Sequence, residues 1–160
     1  TWTANALQYG FIRNVIVKPS LTGATWTKSF AKAIALDKAF NFTIENPQAI
    51  GNSSFESNSS VAFYINNSIS VFFNGRPNVS FYQTAFQFTT GDGGIAQQQS
   101  EGHRISPLTT TYNVKTGLLV DGLSTSGTNA IDVNWLGGHI DVSQANNGLP
   151  ISLSRSSLAF

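Results

Sequence analysis

With 160 residues, 41% of them hydrophobic, the chain is long enough to bury a core, and we expect residues 1–160 to form one domain. Charged residues make up 11% of the sequence and the net charge is +1, without a run of basic residues, which argues against nucleic acid and anionic lipid as partners. The sequence contains no cysteine and no apolar run of bilayer-spanning length, so disulfides, thiolate chemistry and membrane insertion are not expected.

The chain begins at Thr1 and has no methionine, which predicts an excised domain or a processed fragment of a longer protein. Eight stretches rich in β-branched and aromatic residues are separated by Asn, Gly, Ser and Pro, which is the pattern of strands and turns. These predicted strands are residues 9–19, 40–46, 61–66, 69–75, 78–90, 110–122, 130–143 and 149–154. The segment 28–40 is compatible with a short helix or with a strand that leads into 40–46. The pattern as a whole predicts an all-β chain.

The stretch from residue 61 to residue 91 combines high β-propensity with a single charge, that of Arg76. A segment of this kind pairs readily with the edges of other chains unless it is covered. Asn, Ser and Thr together account for 49 of the 160 residues, so amides and hydroxyls replace the usual surface charges. The sequence therefore predicts strands covered by neighbouring strands or by neighbouring subunits.

A loose repeat is visible in three segments, "AIALDKAFNFTIENP", "VAFYINNSISVFFNG" and "GLLVDGLSTSGTNAIDV". Each contains a short apolar strand, a polar corner of Asn, Asp or Gly, and a second strand. The repeat length is about 23 to 32 residues, a period at which solenoids and β-helices are expected. Asparagines suited to left-handed corners and amide ladders occur at Asn46, Asn66, Asn67, Asn74 and Asn78.

Over roughly residues 30–155, this style of repeat resembles the parallel β-helical and β-prism modules of bacteriophage tailspike and tail-fibre proteins, including the stalks of phage enzymes that degrade capsules. The resemblance implies a homotrimeric fibre in an extracellular virion. It also implies attachment to a host through bacterial surface polysaccharide. A β-sandwich or jelly roll, in which the same asparagines form ordinary turns, is the alternative architecture.

Catalytic residues are not identified by the sequence. Asp132 and Asp141 occur in the related contexts "IDV" and "HIDV" and could lie on neighbouring strands, but no spacing marks them as the facing pair of a glycosidase. The two histidines, His103 and His139, form no metal-binding motif, and neither a metal nor a cofactor is expected.

The segment 89–111 is predicted to be a long polar loop that projects from the β scaffold and carries binding residues. Its amides, carboxylate and guanidinium match the hydroxyls and carboxylates of an acidic glycan, and a tryptophan outside the loop offers a stacking surface. The predicted ligand-binding residues are Gln97, Gln98, Gln99, Glu101, His103, Arg104 and Trp135.

Three functions are compatible with the sequence. The favoured one is a non-catalytic module of a tail fibre or tailspike that binds bacterial polysaccharide for host attachment. The second is a polysaccharide hydrolase or lyase, so enzymatic activity is left open. The third is a monomeric adhesin or viral spike domain with a sandwich fold.

Overall fold

The computed structural model describes residues 7–19, 21–22, 25–26, 30–52, 60–90, 100–122, 131–135, 137–142 and 148–154. Within these ranges the chain forms strands and no helix. In spatial order, sheet A consists of β1 (Leu7–Arg13), β6 (Ala39–Glu45), β9 (Ile69–Asn74), β12 (Ser100–Ile105) and β15 (Ile131–Trp135). Sheet B consists of β2 (Ile16–Val17), β7 (Gln48–Ile50), β10 (Asn78–Ser80), β13 (Thr110–Val114) and β16 (His139–Val142). Sheet C consists of β5 (Lys32–Asp37), β8 (Val61–Asn66), β11 (Thr84–Thr90), β14 (Thr116–Gly122) and β17 (Leu149–Ser154).

All three sheets are parallel, and the chain passes from sheet C to sheet A to sheet B before it returns to sheet C. One separate antiparallel pair, β3 (Leu21–Thr22) and β4 (Thr25–Trp26), lies between β2 and β5. Strands that pair within a sheet are offset by between 23 residues, from Val61 to Thr84, and 33 residues, from Thr116 to Leu149. The molecule is therefore a parallel β-solenoid, and its offsets agree closely with the repeat visible in the sequence.

The predicted β-helical fold is confirmed, and the alternative of a β-sandwich is wrong because neighbouring strands are parallel and come from successive turns. The option of a short helix at 28–40 is also wrong. That segment contains β5 and the start of β6, with a single residue, Lys38, between the two strands. Lys38 has a φ of 55°, so the chain turns at this position instead of continuing along one axis.

The core of the solenoid is a stack of aromatic rings on inward-facing positions of sheets A and C. Phe63 of β8 and Phe86 of β11 pair in register, and Phe73 of β9 packs against both. Each pair of these ring centroids is 5.1 Å apart, and none of the three side chains is exposed. Contacts of this kind add about 0.5–1.5 kcal/mol per pair to the free energy gained by burying the rings. The middle turns are thus held together by a cluster of buried aromatic rings.

A residue with left-handed backbone conformation occupies the same position in four successive strands of sheet A. The φ angles are 58°, 51°, 57° and 69° at Tyr9, Asn41, Ser70 and Gly102. The register of β1, β6, β9 and β12 places these residues side by side. Left-handed backbone is costly for residues other than glycine, so neighbouring strands must stabilise each repeat of this bend.

The left-handed residue changes which side chains face the interior. In β12, Ser100 and His103 are three positions apart, yet both are buried, because Gly102 interrupts the normal alternation. Opposite them in β15, Ile131 pairs with Ser100 and Val133 pairs with His103. The paired positions are two residues apart in β15 and three residues apart in β12. Gly102 is therefore the extra residue of a β-bulge.

Asparagines shape two of the corners, as the sequence predicts. Asn46 and Asn67 are left-handed, with φ angles of 49° and 46°. The side-chain amide of Asn46 donates to Oδ1 of Asn14 in the preceding turn at 3.0 Å. The prediction is wrong for the backbone of the other three asparagines, none of which is left-handed: Asn66, Asn74 and Asn78.

The outer surface of sheet A carries an apolar patch near its first strands. We call this the outer patch and define it as Tyr9, Phe11, Phe40, Ile69 and Phe72. Tyr9 is 73% exposed and Phe11 is 55% exposed, whereas the other three side chains are partly exposed. The rings of Tyr9 and Phe40 make an edge contact with centroids 6.1 Å apart. The outer patch is therefore aromatic surface that the described part of the chain does not cover.

The three corners of the solenoid differ in length. The connections from sheet A to sheet B contain two to four residues in every turn: 14–15, 46–47, 75–77, 106–109 and 136–138. The connections from sheet B to sheet C vary from the single residue Lys115 to the segment 18–31. Those from sheet C to sheet A vary from the single residue Lys38 to the segment 91–99. The A–B corner is therefore the one whose length varies least among the three.

Candidate functional site

The predicted ligand-binding residues of β12 lie on opposite sides of sheet A. Arg104 is exposed and Glu101 is partly exposed, so both side chains belong to the outer surface. His103 lies between them in sequence, yet only 1% of its surface is exposed. The bulge at Gly102 explains this separation, because it directs His103 inward while its charged neighbours remain outside.

His103 is part of the interior. Its Nδ1 accepts a hydrogen bond from the Val71 backbone N–H at 3.2 Å, and its Nε2 lies 2.9 Å from Oγ of Ser100. The imidazole packs on the ring of Phe88 at a centroid distance of 4.8 Å. Burial lowers the pKa of His103 to about 3, and a hydrogen bond with the Ser68 backbone opposes part of that shift. His103 is therefore a neutral core residue, and its assignment to an accessible binding surface is wrong.

The prediction of one long projecting loop over 89–111 is also wrong at both ends. Thr89 and Thr90 end strand β11, and residues 100–105 form strand β12. Gln97, Gln98 and Gln99 lie outside the described residues. Of the predicted polar cluster, Glu101 and Arg104 are the members that the structure brings to a common outer surface.

Trp135 lies at the end of β15, where it pairs with Ile105 of β12. Its ring packs against that of Phe86 with a centroid distance of 5.7 Å, so the indole contacts the aromatic core. The indole Nε1 is buried and has no hydrogen-bond partner among the residues that the structure describes. A side chain at Gly138 would approach this nitrogen to 3.3 Å, which places the indole directly beneath the backbone of the A–B corner. Trp135 is consequently a partly buried support and is not a free stacking platform.

A shallow groove of about 480 Å³ follows the A–B corner. It crosses three successive turns of the solenoid, and we call it the corner groove. Its lining residues are Arg76, Pro107, Leu108, Thr109, Thr110, Gly138 and His139. The groove lies on the outside of the corner whose length varies least, so its parts are held at regular intervals along the solenoid.

The described lining of the corner groove contains two exposed nitrogen-bearing side chains, those of Arg76 and His139, and no carboxylate. Within the described part of the chain, neither side chain forms a hydrogen bond or an ion pair. Their backbones are fixed, because the Arg76 N–H donates to Asn46 Oδ1 at 2.9 Å and the His139 N–H donates to the Thr109 carbonyl at 2.9 Å. The groove thus presents the side chains of Arg76 and His139 from backbone positions that hydrogen bonds hold in place.

Sequence reasoning missed this groove. Arg76 was visible as the only charge between residues 61 and 91, and His139 as one of two histidines, but no motif connects them. They line the same groove from turns on either side of Thr110, because the register of sheet B places Asn78 opposite Thr110 and Thr110 opposite His139. To predict from the sequence that these two residues share a groove, one would need the exact number of residues between paired strands in each turn.

The carboxylates do not form a recognisable catalytic pair among the described residues. Asp132 lies on β15 of sheet A and Asp141 lies on β16 of sheet B, so the expectation that they might occupy neighbouring strands is wrong. The backbone N–H of Asp141 donates to Oγ1 of Thr111 at 3.0 Å, which ties this residue to the adjacent turn. In the same ranges, no three His, Asp or Glu side chains lie close enough together to hold a metal ion.

Comparisons with protein-family models, with curated proteins and with solved structures found no match. Among the residues that the structure describes, no helix is long and apolar enough to cross a lipid bilayer. Functional inference therefore depends on the solenoid, its outer surfaces and the corner groove.

Proposed function

We propose that this chain is a host-attachment module of a phage-type tail fibre or tailspike, that it assembles as a homotrimer, and that it binds bacterial surface polysaccharide. The observation that supports this proposal most is the combination of a parallel β-solenoid with an uncovered aromatic outer patch. A repetitive, rigid scaffold of this kind suits recognition of a repetitive polymer, since it presents equivalent positions at each turn. The function is attachment in the extracellular virion.

The trimer is proposed to cover the outer patch. Tyr9 and Phe11 are large aromatic side chains more than half exposed, and Phe40 and Phe72 continue the same surface on the next strands. Exposed aromatic surface of this type is uncommon on monomeric proteins and is typical of association sites. Polysaccharide is then proposed to contact the polar part of sheet A, where Glu101 and Arg104 face outward. The sequence-predicted contacts of Gln97, Gln98 and Gln99 belong to the same proposal and lie outside the described residues.

Sedimentation at micromolar concentration tests the assembly. We expect about three chains per particle for the wild type and dissociated chains for Phe72→Asp, because a carboxylate buried in an apolar interface costs several kcal/mol. Gln87→Asp is the matched control, since Gln87 is a partly exposed residue on β11 of sheet C. A monomeric wild type, or a Phe72→Asp variant that remains trimeric, would contradict the proposed assembly.

Binding of the wild type to an array of bacterial polysaccharides tests the attachment role separately. At least one capsular or lipopolysaccharide glycan should bind without being cleaved. Failure to bind any of them would leave the module as a spacer, whereas release of reducing ends would replace the proposal with the polysaccharide hydrolase or lyase.

A further inference from the structure

The corner groove has the features of a site for a negatively charged sugar. Its position follows from three turns that meet at the A–B corner: Arg76 precedes β10, residues 107–110 lead into β13, and Gly138 precedes β16. Parallel strands are spaced about 4.8 Å apart, so the groove extends for on the order of 10 Å along the solenoid. A segment of an extended polymer, lying along the axis, fits this shape better than a compact ligand does.

The electrostatics favour an anion. Within the ranges that the structure describes, the exposed Arg76 has no ion-pair partner and no carboxylate lines the groove. A guanidinium can donate two parallel hydrogen bonds to one carboxylate, which gives both affinity and orientation. The His139 imidazole, two turns further along the groove, offers a further donor or acceptor.

The remaining lining suits a sugar ring. Leu108 is 55% exposed and follows Pro107, so the two side chains provide an apolar surface for the C–H face of a pyranose. Oγ1 of Thr110 accepts a hydrogen bond from the Asn78 amide at 2.8 Å. Its own hydroxyl hydrogen is therefore available to a ligand oxygen. Thr109 is not available in the same way, because its hydroxyl donates to the Ser106 carbonyl at 2.7 Å.

We propose that the corner groove binds a carboxylate-bearing sugar, a uronic acid unit within a polysaccharide chain, with Arg76 holding the carboxylate and Leu108 packing against the ring. This inference rests on the proposed attachment function and names the chemical class of glycan that one surface of the module recognises. It adds a site at the A–B corner to the polar surface of β12.

Calorimetric titration with an oligosaccharide of glucuronic acid, and with the same oligosaccharide after its carboxylates have been reduced to alcohols, tests the ligand class. The acidic form should bind at low salt and weaken as salt is added, and the reduced form should bind at least about 10-fold more weakly. Arg76→Gln should reduce affinity for the acidic form by about 10- to 100-fold, the range for loss of a charge-assisted hydrogen bond. Arg76→Lys should retain part of the affinity, because it keeps the positive charge but cannot donate two parallel hydrogen bonds to one carboxylate.

Lys115→Gln is the matched control, since it removes one positive charge from an exposed residue at the B–C corner, outside the groove. Its affinity should equal that of the wild type. If Arg104→Gln abolishes binding while Arg76→Gln does not, the acidic sugar binds to the outer surface of sheet A and the inference is wrong. If the wild type binds a neutral bacterial glycan and not the glucuronic acid oligosaccharide, this inference fails and the attachment function survives. If the wild type binds neither a bacterial glycan nor the glucuronic acid oligosaccharide, both this inference and the attachment function fail.

Discussion

Phe72 and Phe73 are consecutive residues of β9, yet they occupy opposite sides of sheet A. Phe73 has no exposed surface and contacts the rings of Phe63 and Phe86, whereas Phe72 is partly exposed and belongs to the outer patch. The side chains are identical, so the difference in environment comes from position alone. Sheet A thus separates a side that holds the fold together from a side that is available for contacts with other molecules.

The comparison also explains how a chain with so little charge can expose neutral strands. Burial of the inner side of each strand stabilises the stack, and backbone hydrogen bonds join each strand to the next turn. The outer side contributes less to stability and can therefore hold aromatic, amide or charged residues with little effect on the fold. Each of the following experiments changes one side and leaves the other as it is.

Replacing the inner phenylalanine should have the largest effect. Phe73→Ala removes a ring from the centre of the aromatic stack, and we expect it to lower the free energy of unfolding by about 3–5 kcal/mol. Phe72→Ala should cost less than about 1 kcal/mol of intrinsic stability, because part of its ring is exposed. Denaturant unfolding at several protein concentrations measures both values.

The concentration series distinguishes packing from assembly. Loss of a core ring changes stability equally at every concentration, whereas loss of a subunit contact makes the difference between variant and wild type depend on concentration. Equal, concentration-independent losses for the two variants would show that Phe72 belongs to the core and that the contrast between the two sides of sheet A does not hold.

Acid should lower the free energy of unfolding, because His103 on the inner side of sheet A is buried in its neutral form. The unfolded chain takes up a proton at this histidine near pH 6.5, and the folded chain does so only near pH 3 because burial lowers the pKa of His103. The stabilisation is complete above pH 6.5 and is lost progressively as the pH falls from 6.5 towards 3, at about 1.4 kcal/mol for each pH unit. Between pH 7 and pH 5 we expect a loss of about 2 kcal/mol.

Denaturant unfolding as a function of pH measures this loss, and two variants assign it. His103→Gln should unfold more easily at pH 7 but show little further loss between pH 7 and pH 5. His139→Gln should keep the wild-type slope, since His139 is exposed at the corner groove. The same slope in His103→Gln and wild type would place the titrating group elsewhere.

The smallest effect should come from the left-handed position that separates the two sides. Gly102→Ala places a Cβ on a residue with a φ of 69° and within 3.2 Å of Oγ of Ser70, so we expect a loss of about 1–2 kcal/mol. Ser70→Gly, at the equivalent position of β9, relieves the same conformation and should change stability by less than about 0.5 kcal/mol. Thermal unfolding of the two variants checks the pair, and a stabilising Gly102→Ala would show that β12 can lose its bulge.

Much of the fold could be predicted from the sequence because turn residues separate the strands clearly. All eight predicted strands contain observed strands, and the longest of them, such as 78–90, divide into two where the chain turns a corner. The repeat of 23 to 32 residues anticipated the stacking offsets because each turn must supply one strand to each of the three sheets. Local composition was sufficient for these features.

The candidate site could be predicted only in part, because the side that a residue faces depends on backbone conformation. Simple alternation fails at Gly102, so His103 could not be assigned to the interior from the pattern of Glu101 and Arg104 around it. The proximity of Arg76 and His139 depends on the lengths of two successive turns, and those lengths vary. Contacts across turns need the register, which composition does not contain.

The A–B corner, whose connections contain only two to four residues, has a consequence for how such a molecule can diverge. Insertions and deletions can accumulate at the B–C and C–A corners, where connections already range from one residue to the segments 18–31 and 91–99, without moving any strand. The A–B connections contain two to four residues and supply most of the lining of the corner groove, so a long insertion there would change the groove itself. Variation between related chains should therefore take the form of new loops at two corners and of side-chain exchange at the third. A ligand along the A–B corner would contact short connections stacked one strand spacing apart, so single substitutions would alter specificity one turn at a time.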